Sequence, residues 1–239
     1  MQAMILAGGK GTRLQPYTTV LPKPLMPVSS YPILEIIVRQ LAHAGIHEVV
    51  LAVGHLSHLI QAFFQDGSRF GVRIHYSHEE KSLGTAGPIG LALDFLEDDF
   101  LIMNGDLLTT LNYRKLFQFH LSHGGAATIG LCRRELKIDF GVIEETLNGQ
   151  LEKYTEKPVY GFTVSMGINV FKKRALCKFL KPGQYLDIPD LMLQLSKSGQ
   201  EVHCYTEPCR WLDIGRIEDY QQATAIFESC PEEFLPDNS

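Results

Sequence analysis

A glycine-rich turn near the start of the chain has the residue types that bind phosphate. The turn follows an apolar, strand-like run at residues 1–7 and reads Gly8-Gly9-Lys10-Gly11-Thr12-Arg13-Leu14. Because glycine lacks a Cβ atom, backbone N–H groups in such a turn can approach phosphate oxygens closely. The side chain of Arg13 and a second cation, Lys23, held between two prolines, suit a ligand with several negative charges. These residues predict a triphosphate-binding site.

The sequence of this turn excludes two commoner phosphate-binding motifs. A P-loop requires Ser or Thr after Gly-Lys, whereas Gly11 follows Lys10 here. A dinucleotide fingerprint requires a third glycine at the position of Leu14. The alternative is an ordinary glycine-rich connection after a first strand, and the two added cations favour the phosphate site over it.

Asp106 is the first candidate for a metal ligand. It follows the apolar run 100–103 and should lie at the carboxyl end of that strand, where open α/β sheets bind ligands. Mg²⁺ prefers oxygen ligands and commonly joins one or two carboxylates to substrate phosphates. Asp213 is the natural second carboxylate. The alternative for Asp106 is a simple turn, because Asn-Gly is itself a strong turn signal.

These residues require a scaffold, and the periodicity of the chain predicts one. Strand-like runs at 1–7, 48–53, 72–76 and 100–103 alternate with helix-like stretches at 33–44, 57–64 and 85–96. Such alternation predicts right-handed βαβ units and an α/β fold with a doubly wound, mostly parallel, Rossmann-like sheet. Further strands are predicted at 126–132, 140–144, 162–171 and 201–205, and helices at 191–196 and 217–227.

We expect a single domain over residues 1–230. No linker-like composition interrupts this range, which is why we expect one domain and not two. Within it we expect a first lobe of about residues 1–125 and a second lobe of about residues 126–230. The first lobe carries the predicted nucleotide site and the second extends the sheet as a lid over it. Residues 231–239 form a tail, the only segment in which disorder is expected.

The composition excludes several classes of partner. The formal net charge of the 239-residue chain is -5 and no basic block is interleaved with aromatic residues, so neither nucleic acid nor an anionic membrane is expected to bind. No apolar run approaches the roughly 18 residues of a membrane span, and no charged leader precedes the first run. Five cysteines without C-x-x-C spacing are typical of free thiols in a reducing compartment. A cytoplasmic protein is expected.

Along nearly its whole length the chain resembles the sugar-1-phosphate nucleotidyltransferases, also called nucleotide-sugar pyrophosphorylases. Their signature G-G-x-G-T-R-L and a P-K-P-like segment are matched between Gly8 and Pro24. Five further segments match in order: Leu83-Gly84-Thr85-Ala86-Gly87, Asn104-Gly105-Asp106, Glu156-Lys157-Pro158, Ser165-Met166-Gly167-Ile168 and Trp211-Leu212-Asp213-Ile214-Gly215. The resemblance implies that a nucleoside triphosphate and a sugar 1-phosphate are condensed with Mg²⁺, releasing pyrophosphate.

The resemblance also implies roles for particular residues. Arg13 and Lys23 are the expected catalytic cations, and Asp106 and Asp213 the expected metal ligands. Glu79 or Glu80 is a partner for guanine. The expected nucleotide-binding residues are Leu6, Ala7, Gly8, Gly9, Gly11, Thr12, Glu79, Gly84 and Thr85. The expected sugar-phosphate-binding residues are Asn104, Gly141, Glu156, Lys157 and Ser165, the last at a position where many relatives carry Asn.

Two segments point to different substrates. The stretch from His78 to Pro88 looks most like the mannose-1-phosphate guanylyltransferases, which favours GTP with mannose 1-phosphate or a related sugar phosphate. Ser165-Met166-Gly167-Ile168 is similar to glucose-1-phosphate adenylyltransferases. The alternatives are the same chemistry with UTP, CTP, dTTP or ATP and glucose 1-phosphate-like acceptors, a nucleotide-sugar-using glycosyltransferase, or a non-catalytic nucleotide-sugar-binding relative. A homo-oligomer is compatible with each of them.

Overall fold

A seven-stranded sheet runs through the middle of the structure, a computed structural model that describes residues 1–235. In this part of the chain the strands are β1 (Gln2–Ala7), β2 (Pro27–Val28), β3 (Tyr31–Pro32), β4 (Glu48–Val53), β5 (Arg73–His78), β6 (Asp99–Asn104), β7 (Leu107–Thr109), β8 (Ala127–Lys137), β9 (Val142–Glu145), β10 (Leu151–Thr155), β11 (Val159–Lys172), β12 (Val202–Thr206) and β13 (Trp211–Asp213).

Helices pack on this sheet and connect its strands. They are α1 (Ile33–His43), α2 (Ser57–Phe64), α3 (Gly87–Ala92), α4 (Tyr113–His123), α5 (Lys173–Leu176), α6 (Ile188–Lys197) and α7 (Ile217–Ser229). Among residues 1–235, no helix is both long enough and apolar enough to cross a membrane.

The order of strands in the large sheet is β12-β8-β11-β6-β1-β4-β5. β1 lies parallel to β4 and β6, β5 lies parallel to β4, and β12 lies parallel to β8. β11 is antiparallel to both of its neighbours. The prediction of a mostly parallel, Rossmann-like α/β sheet is confirmed. Since β11 and β8 come from the second half of the chain, both predicted lobes contribute to one sheet.

Helices cover both faces of the sheet. In β1, Ala3 and Ile5 point into one apolar cluster, which includes side chains of α1, α2, α4 and α7. Met4 points into a second cluster, which includes side chains of α3, α5 and α6. Successive side chains of a strand face opposite sides, so burial on both sides explains why β1 reads as a continuous apolar run.

The second half of the chain departs from the prediction by extending its strands. β8 continues to Lys137 and pairs with β11 from Val159 onward, while β9 and β10 form a separate hairpin between them. This projecting arm, defined as residues 133–164, carries many exposed apolar side chains. They include Leu136, Phe140, Ile143, Leu147, Leu151, Tyr154, Val159, Tyr160 and Phe162.

The expected tail is ordered over the part that the structure describes. A 3-10 turn spans Pro231–Glu233, and Phe234 is 1% exposed with its ring centroid 5.9 Å from that of Phe227. Gln40 also donates a hydrogen bond to the Phe234 carbonyl, at 2.7 Å. The expectation of disorder is therefore wrong for residues 231–235, because Phe234 completes the core beneath α7. Residues 236–239 of the expected tail lie outside the described residues.

A buried histidine links α4 to the sheet. His120 is fully buried, with Nδ1 2.9 Å from the Thr128 hydroxyl and Nε2 3.1 Å from a carboxylate oxygen of Asp99. Burial lowers the pKa of His120, and the neighbouring Asp99 opposes this shift without cancelling it. The folded protein therefore favours the neutral imidazole.

Lowering the pH from about 8 to about 5.5 should reduce the free energy of unfolding in part through His120. As the pH falls, the unfolded histidine takes up a proton before the folded one does, so the stability present above the unfolded pKa is progressively lost. Urea titrations at both pH values should show a weaker pH dependence for His120→Gln than for the wild type. The exposed His58 provides a control, because His58→Gln should retain the full dependence.

Candidate functional site

The candidate site lies at the edge of the sheet where its parallel strands end. Gly105, after β6, donates its N–H to the carbonyl of Leu6 in β1 at 2.9 Å. A Cβ atom at Gly105 would lie 2.9 Å from that same carbonyl oxygen, so only glycine allows this close approach. The contact sets Asp106 beside the glycine-rich turn that follows β1.

The glycine-rich turn exposes a run of backbone amides. Gly11 has a φ of 62°, and the Thr18 hydroxyl donates to its carbonyl at 2.8 Å, which fixes the turn before the 3-10 helix Thr12–Leu14. A Cβ at Gly11 would lie 2.9 Å from Thr18 Cγ2. Among the hydrogen bonds formed by residues 1–235, none uses the amide N–H groups of residues 9–13. These amides are available to an anionic ligand.

The side chain of Arg13 lies between this turn and the strand that carries Asp213. A Cβ at Gly215 would lie 3.4 Å from Arg13 Nη1, so the glycine leaves room for the guanidinium. Arg13 is exposed, and no hydrogen bond or ion pair with another residue of the described chain occupies it. It is free to bind a phosphate through two parallel N–H donors.

Lys23 and Asp106 form an ion pair in the centre of the site. Lys23 begins a 3-10 helix, Lys23–Leu25, whose conformation is restricted by Pro22 and Pro24, and it is 8% exposed. Its Nζ pairs with Oδ2 of Asp106, while Oδ1 is buried without a hydrogen-bond partner. An unsatisfied buried carboxylate oxygen is costly, so this atom is suited to bind a cation.

Asp213 reaches the same place from the far end of the chain. β13 pairs antiparallel with β7, so Asp213 lies opposite Leu107, and Ile214 donates its N–H to the Asp106 carbonyl at 3.2 Å. Although the side chain is open to solvent on one side, desolvation on the other raises the pKa of Asp213, and the charge of Asp106 raises it further. Lys23 and Arg13 act in the opposite direction.

The two carboxylates fit a divalent cation of the kind predicted. The unpartnered Oδ1 of Asp106 and the unfavourable ionisation of Asp213 would both be relieved by a positive charge held between them. No cluster of three His, Cys, Asp or Glu side chains that could hold a metal exists within residues 1–235. Mg²⁺ is commonly bound by one or two carboxylates, and substrate phosphates complete its coordination.

Glu79 lies against Gly8, at the start of the glycine-rich turn. Its Oε1 would be 2.6 Å from a Cβ at Gly8, and its Oε2 accepts a hydrogen bond from the Leu83 N–H at 3.3 Å. Glu79 is half-buried, whereas the neighbouring Glu80 is exposed. Burial raises the pKa of Glu79, and the hydrogen bond from Leu83 counteracts this. Of the two predicted guanine partners, only Glu79 adjoins the glycine-rich turn.

Gly84 and Thr85 are held by Asp187, a residue for which the sequence predicts no role in the site. Asp187 Oδ1 accepts hydrogen bonds from the Thr85 N–H at 2.9 Å and from its hydroxyl at 3.2 Å. Both donors of Thr85 are thus used within the protein. Asp187 lies 102 positions away, and no sequence pattern around it signals this contact.

The predicted sugar-phosphate residues fall into two groups. Asn104, at the end of β6, faces Gly167, whose φ is 70° and whose Cβ would lie 2.6 Å from Asn104 Nδ2. Ser165 is nearby, since its Oγ accepts from the Gly167 N–H at 3.4 Å. This first group adjoins Asp106, which follows Asn104 by two residues.

The second group lies on the arm. A Cβ at Gly141 would collide with the Tyr154 hydroxyl and lie 3.0 Å from Glu156 Oε2. Lys157 is exposed with a φ of 46°, and its N–H donates to the Phe140 carbonyl at 3.3 Å. Among residues 1–235, no hydrogen bond or ion pair joins this group to the Lys23–Asp106 pair.

Trp211 anchors the strand of Asp213 and is a further residue whose role the sequence analysis missed. Its indole N–H donates to the Met166 carbonyl at 2.9 Å. The Arg134 guanidinium lies 4.8 Å from the centre of the Trp211 ring and donates to the Trp211 carbonyl at 3.1 Å. These contacts connect β13 to β8 and β11, and thereby hold Asp213 in place.

Comparison with known proteins places this geometry in context. A family model described as Nucleotidyl transferase matches residues 2–229. The chain is 34% identical to a UTP–glucose-1-phosphate uridylyltransferase of Synechocystis sp., over 93% of this chain and 62% of that protein. It is also 34% identical to the mannose-1-phosphate guanylyltransferase catalytic subunit beta of Dictyostelium discoideum, over 95% of this chain and 64% of that protein.

A solved structure is similar over almost the whole chain. It is a protein from Bacillus anthracis, named as a candidate glucose-1-phosphate thymidylyltransferase and crystallised with sucrose. The two are 28% identical with a TM-score of 0.77, and the match covers 95% of this chain and 94% of the other. By contrast, the chain spans less than two thirds of the length of the two curated relatives named above.

Proposed function

The chain belongs to the nucleotidyl transferase family, and from this premise we propose that it joins a nucleoside triphosphate to a sugar 1-phosphate. A phosphate oxygen of the sugar 1-phosphate attacks the α-phosphorus of the triphosphate, and a new P–O bond forms. The bond between the α-phosphorus and the oxygen that bridges it to the β-phosphate breaks. The products are a nucleoside-diphosphate sugar and pyrophosphate.

One observation carries this proposal. The backbone N–H groups of residues 9–13 and the side chain of Arg13 form no hydrogen bonds within the described chain. They lie near the buried cation Lys23 and the two carboxylates of Asp106 and Asp213. A ligand with three linked phosphates and a divalent cation would satisfy all of these groups at once. A site for a single phosphate would leave several of them without a partner.

The mechanism that we propose relies on charge and alignment. Two polyanions must approach each other, so their repulsion has to be offset and the attacking and leaving oxygens aligned. The amides of residues 9–13 and Arg13 would hold the phosphates that leave as pyrophosphate. Lys23 would stabilise the negative charge that develops on the α-phosphate. No side chain needs to become covalently attached to the substrate.

Asp106 and Asp213 would hold the divalent cation, which we propose is Mg²⁺. The support is the unpartnered buried Oδ1 of Asp106 and the raised pKa of Asp213, which is caused by desolvation and by the charge of Asp106. When bound, the ion would neutralise negative charge on the phosphate oxygens. Lys23 already compensates one oxygen of Asp106, which leaves the other for the metal.

The acceptor would lie between the two groups of predicted sugar-phosphate residues. Asn104 and Ser165 adjoin Asp106, and the arm carries Gly141, Glu156 and Lys157. In this proposal Glu156 accepts hydrogen bonds from sugar hydroxyls, and the ammonium of Lys157 pairs with the sugar phosphate. Gly141 and Gly167 allow the side chains of Tyr154 and Asn104, respectively, to lie directly against the backbone.

We propose GTP and mannose 1-phosphate, or a related sugar phosphate, as the substrates. Oε1 of Glu79 adjoins Gly8, and Oε2, which accepts the Leu83 N–H, has a further lone pair. The carboxylate could therefore accept from the two adjacent donors of guanine, N1–H and the exocyclic N–H₂. Several relatives are named mannose-1-phosphate guanylyltransferases. Others are named for uridylyl or thymidylyl transfer to glucose 1-phosphate, which keeps UTP and dTTP as the alternatives.

Glu79→Gln should shift the choice of base away from guanine. Glutamine offers one acceptor and one N–H₂ donor, a pattern that matches the carbonyl and N–H of uracil better than the two donors of guanine. The ratio of kcat/KM for GTP to that for UTP should fall by about 10-fold to 100-fold. Initial rates of pyrophosphate release with each nucleotide measure this ratio.

The neighbouring carboxylate provides a matched control. Glu80 is exposed, so Glu80→Gln should leave the GTP-to-UTP ratio within about twofold of the wild type. A shift caused by Glu80→Gln but not by Glu79→Gln would show that the wrong carboxylate has been assigned to the base.

A pyrophosphate-release screen tests the proposed reaction directly. The common nucleoside triphosphates are crossed with several sugar 1-phosphates in the presence of Mg²⁺. Activity confined to one pair, with formation of the nucleoside-diphosphate sugar, would support the proposal and define the specificity. Absence of activity in every pair, with a folded protein, would contradict it and favour a binding protein of the same fold.

We also propose a cytoplasmic enzyme that acts on small molecules. The cysteines of the described chain are all unpaired, which is typical of a reducing compartment. The formal net charge of -5 disfavours nucleic acid as a partner. A homo-oligomer is compatible with these features.

A further inference from the structure

The loop of residues 83–87, which precedes and begins α3, borders the glycine-rich turn. Its Leu83 N–H donates to Glu79 Oε2 at 3.3 Å, and Glu79 in turn lies against Gly8. β5, β4 and β1 are parallel and end at this same edge of the sheet. The inference below rests on the proposed function, in which the 83–87 loop faces the nucleoside.

Residues 185–188, from the second half of the chain, contact the other side of the loop. Leu186 donates its N–H to the Leu83 carbonyl at 3.0 Å, and its carbonyl accepts from the N–H groups of Ala86 and Gly87 at 2.8 and 3.0 Å. Gly84 has a φ of 77°, and a Cβ there would lie 2.5 Å from the Leu186 carbonyl oxygen. The loop and this segment are therefore packed backbone against backbone.

Asp187 adds side-chain contacts to this packing. Its Oδ1 accepts from both the N–H and the hydroxyl of Thr85, and its Oδ2 accepts from the Tyr185 hydroxyl at 2.8 Å. The Thr85 hydroxyl oxygen also accepts from the Ile188 N–H at 2.8 Å. Both the N–H and the hydroxyl of Thr85 are thus held by hydrogen bonds. The hydrogen bond from Tyr185 lowers the pKa of Asp187, so the carboxylate that accepts these bonds is ionised at neutral pH.

We propose that Asp187 is a positioning residue that holds the 83–87 loop in the conformation that receives the nucleoside. It acts through Thr85 and Gly84 and does not itself contact the nucleotide. No hydrogen bond within residues 1–235 uses the Gly84 N–H, which is left as the donor that the loop can offer a base. Asp187 therefore affects nucleotide binding, and it has no part in binding the sugar phosphate or in the transfer step.

Asp187→Ala should weaken nucleotide binding by about 10-fold, because two hydrogen bonds that order the loop are lost. Equilibrium binding of GTP, and of UTP as the alternative base, is measured without sugar phosphate, alongside KM for each substrate. The KM for sugar 1-phosphate and kcat should stay within about threefold of the wild type. Hydrogen exchange at residues 83–87 should become faster, which reports the loop directly.

Three variants separate positioning from general damage to the fold. Asp187→Asn keeps an acceptor for the Thr85 N–H and should recover most of the affinity. Tyr185→Phe removes only one exposed hydroxyl and should weaken binding by about twofold to threefold. Asp190→Ala, an exposed carboxylate in the first turn of α6, should bind like the wild type.

The outcomes also separate this inference from the proposed function. A wild-type protein that binds nucleotide but never releases pyrophosphate would contradict the reaction while leaving the affinity test of Asp187 intact. Unchanged nucleotide affinity in Asp187→Ala, or an equal loss of affinity for nucleotide and sugar phosphate, would overturn the positioning role. A selective loss with recovery in Asp187→Asn would establish it.

Discussion

Asp106→Asn should lower kcat by about 10²–10³ while leaving the fold intact. The substitution keeps the size of the side chain but removes its negative charge. Asp106 then no longer forms an ion pair with Lys23, and its Oδ1 is no longer part of a carboxylate that could bind a metal. Its effect should appear at saturating concentrations of both substrates. Rates are measured over a range of Mg²⁺ concentrations, because loss of a metal ligand should also raise the Mg²⁺ requirement.

Asp106→Asn leaves the buried Lys23 without its partner, so folding must be checked independently. Trp211 is the only tryptophan of the chain and lies two residues from Asp213, which makes its fluorescence a probe of the site. Asp94→Asn, a change at an exposed carboxylate, is the matched control and should retain wild-type activity. If Asp106→Asn kept more than about a tenth of the wild-type kcat with Mg²⁺, the assigned role would be wrong.

Arg13→Ala should lower kcat/KM for the nucleoside triphosphate by about 10²–10³. Within residues 1–235 the guanidinium forms no hydrogen bond or ion pair, and it lies beside Gly215 near Asp213, so its N–H donors are available to a ligand. Arg13→Lys should recover part of the loss, since it restores the charge but not the paired donors of the guanidinium. Steady-state rates with the nucleotide as the varied substrate provide the measurement.

A surface arginine distinguishes a local role from a general effect of charge. Arg73 is exposed and pairs with Glu48 on β4, so Arg73→Ala should change kcat/KM by less than about twofold. Equal losses in Arg13→Ala and Arg73→Ala would mean that net charge, rather than the position of Arg13, attracts the nucleotide.

The sequence predicts the nucleotide half of the fold more accurately than the other half. β4 and α2 have the predicted bounds, because a buried parallel strand and an amphipathic helix each leave a clear apolar pattern. α4 was missed, although Asn112 caps it through Lys115 N–H at 3.0 Å and Gly124 ends it with a φ of 70°. Those two capping residues are the signal that could have identified it.

The short strands could not be predicted from pattern at all. β7 and β13 have three residues each, which is too few to show a period of two. Their pairing is a tertiary contact, yet it is what brings Asp213 to Asp106. The exposed β9–β10 hairpin was predicted only in part, because its apolar side chains do not face a core.

For the site, residue type was more informative than position. The structure brings together Arg13, Lys23, Asp106 and Asp213, which were predicted from their charges and their places after strands or within matched motifs. It assigns the donors of Thr85 to Asp187, a contact between distant parts of the chain that no local spacing reveals. The contact between Trp211 and Arg134 is likewise not predictable from the sequence, since it depends on the register of three strands.

The β7–β13 ladder has a consequence for how the protein is made on the ribosome. The ladder places Asp213 next to Asp106, the residue that precedes β7, although more than 100 residues separate the two carboxylates in the sequence. A nascent chain therefore completes the glycine-rich turn and Asp106 well before Asp213 has been synthesised. Unfinished chains should thus be able to bind cellular nucleotides weakly while remaining unable to consume them.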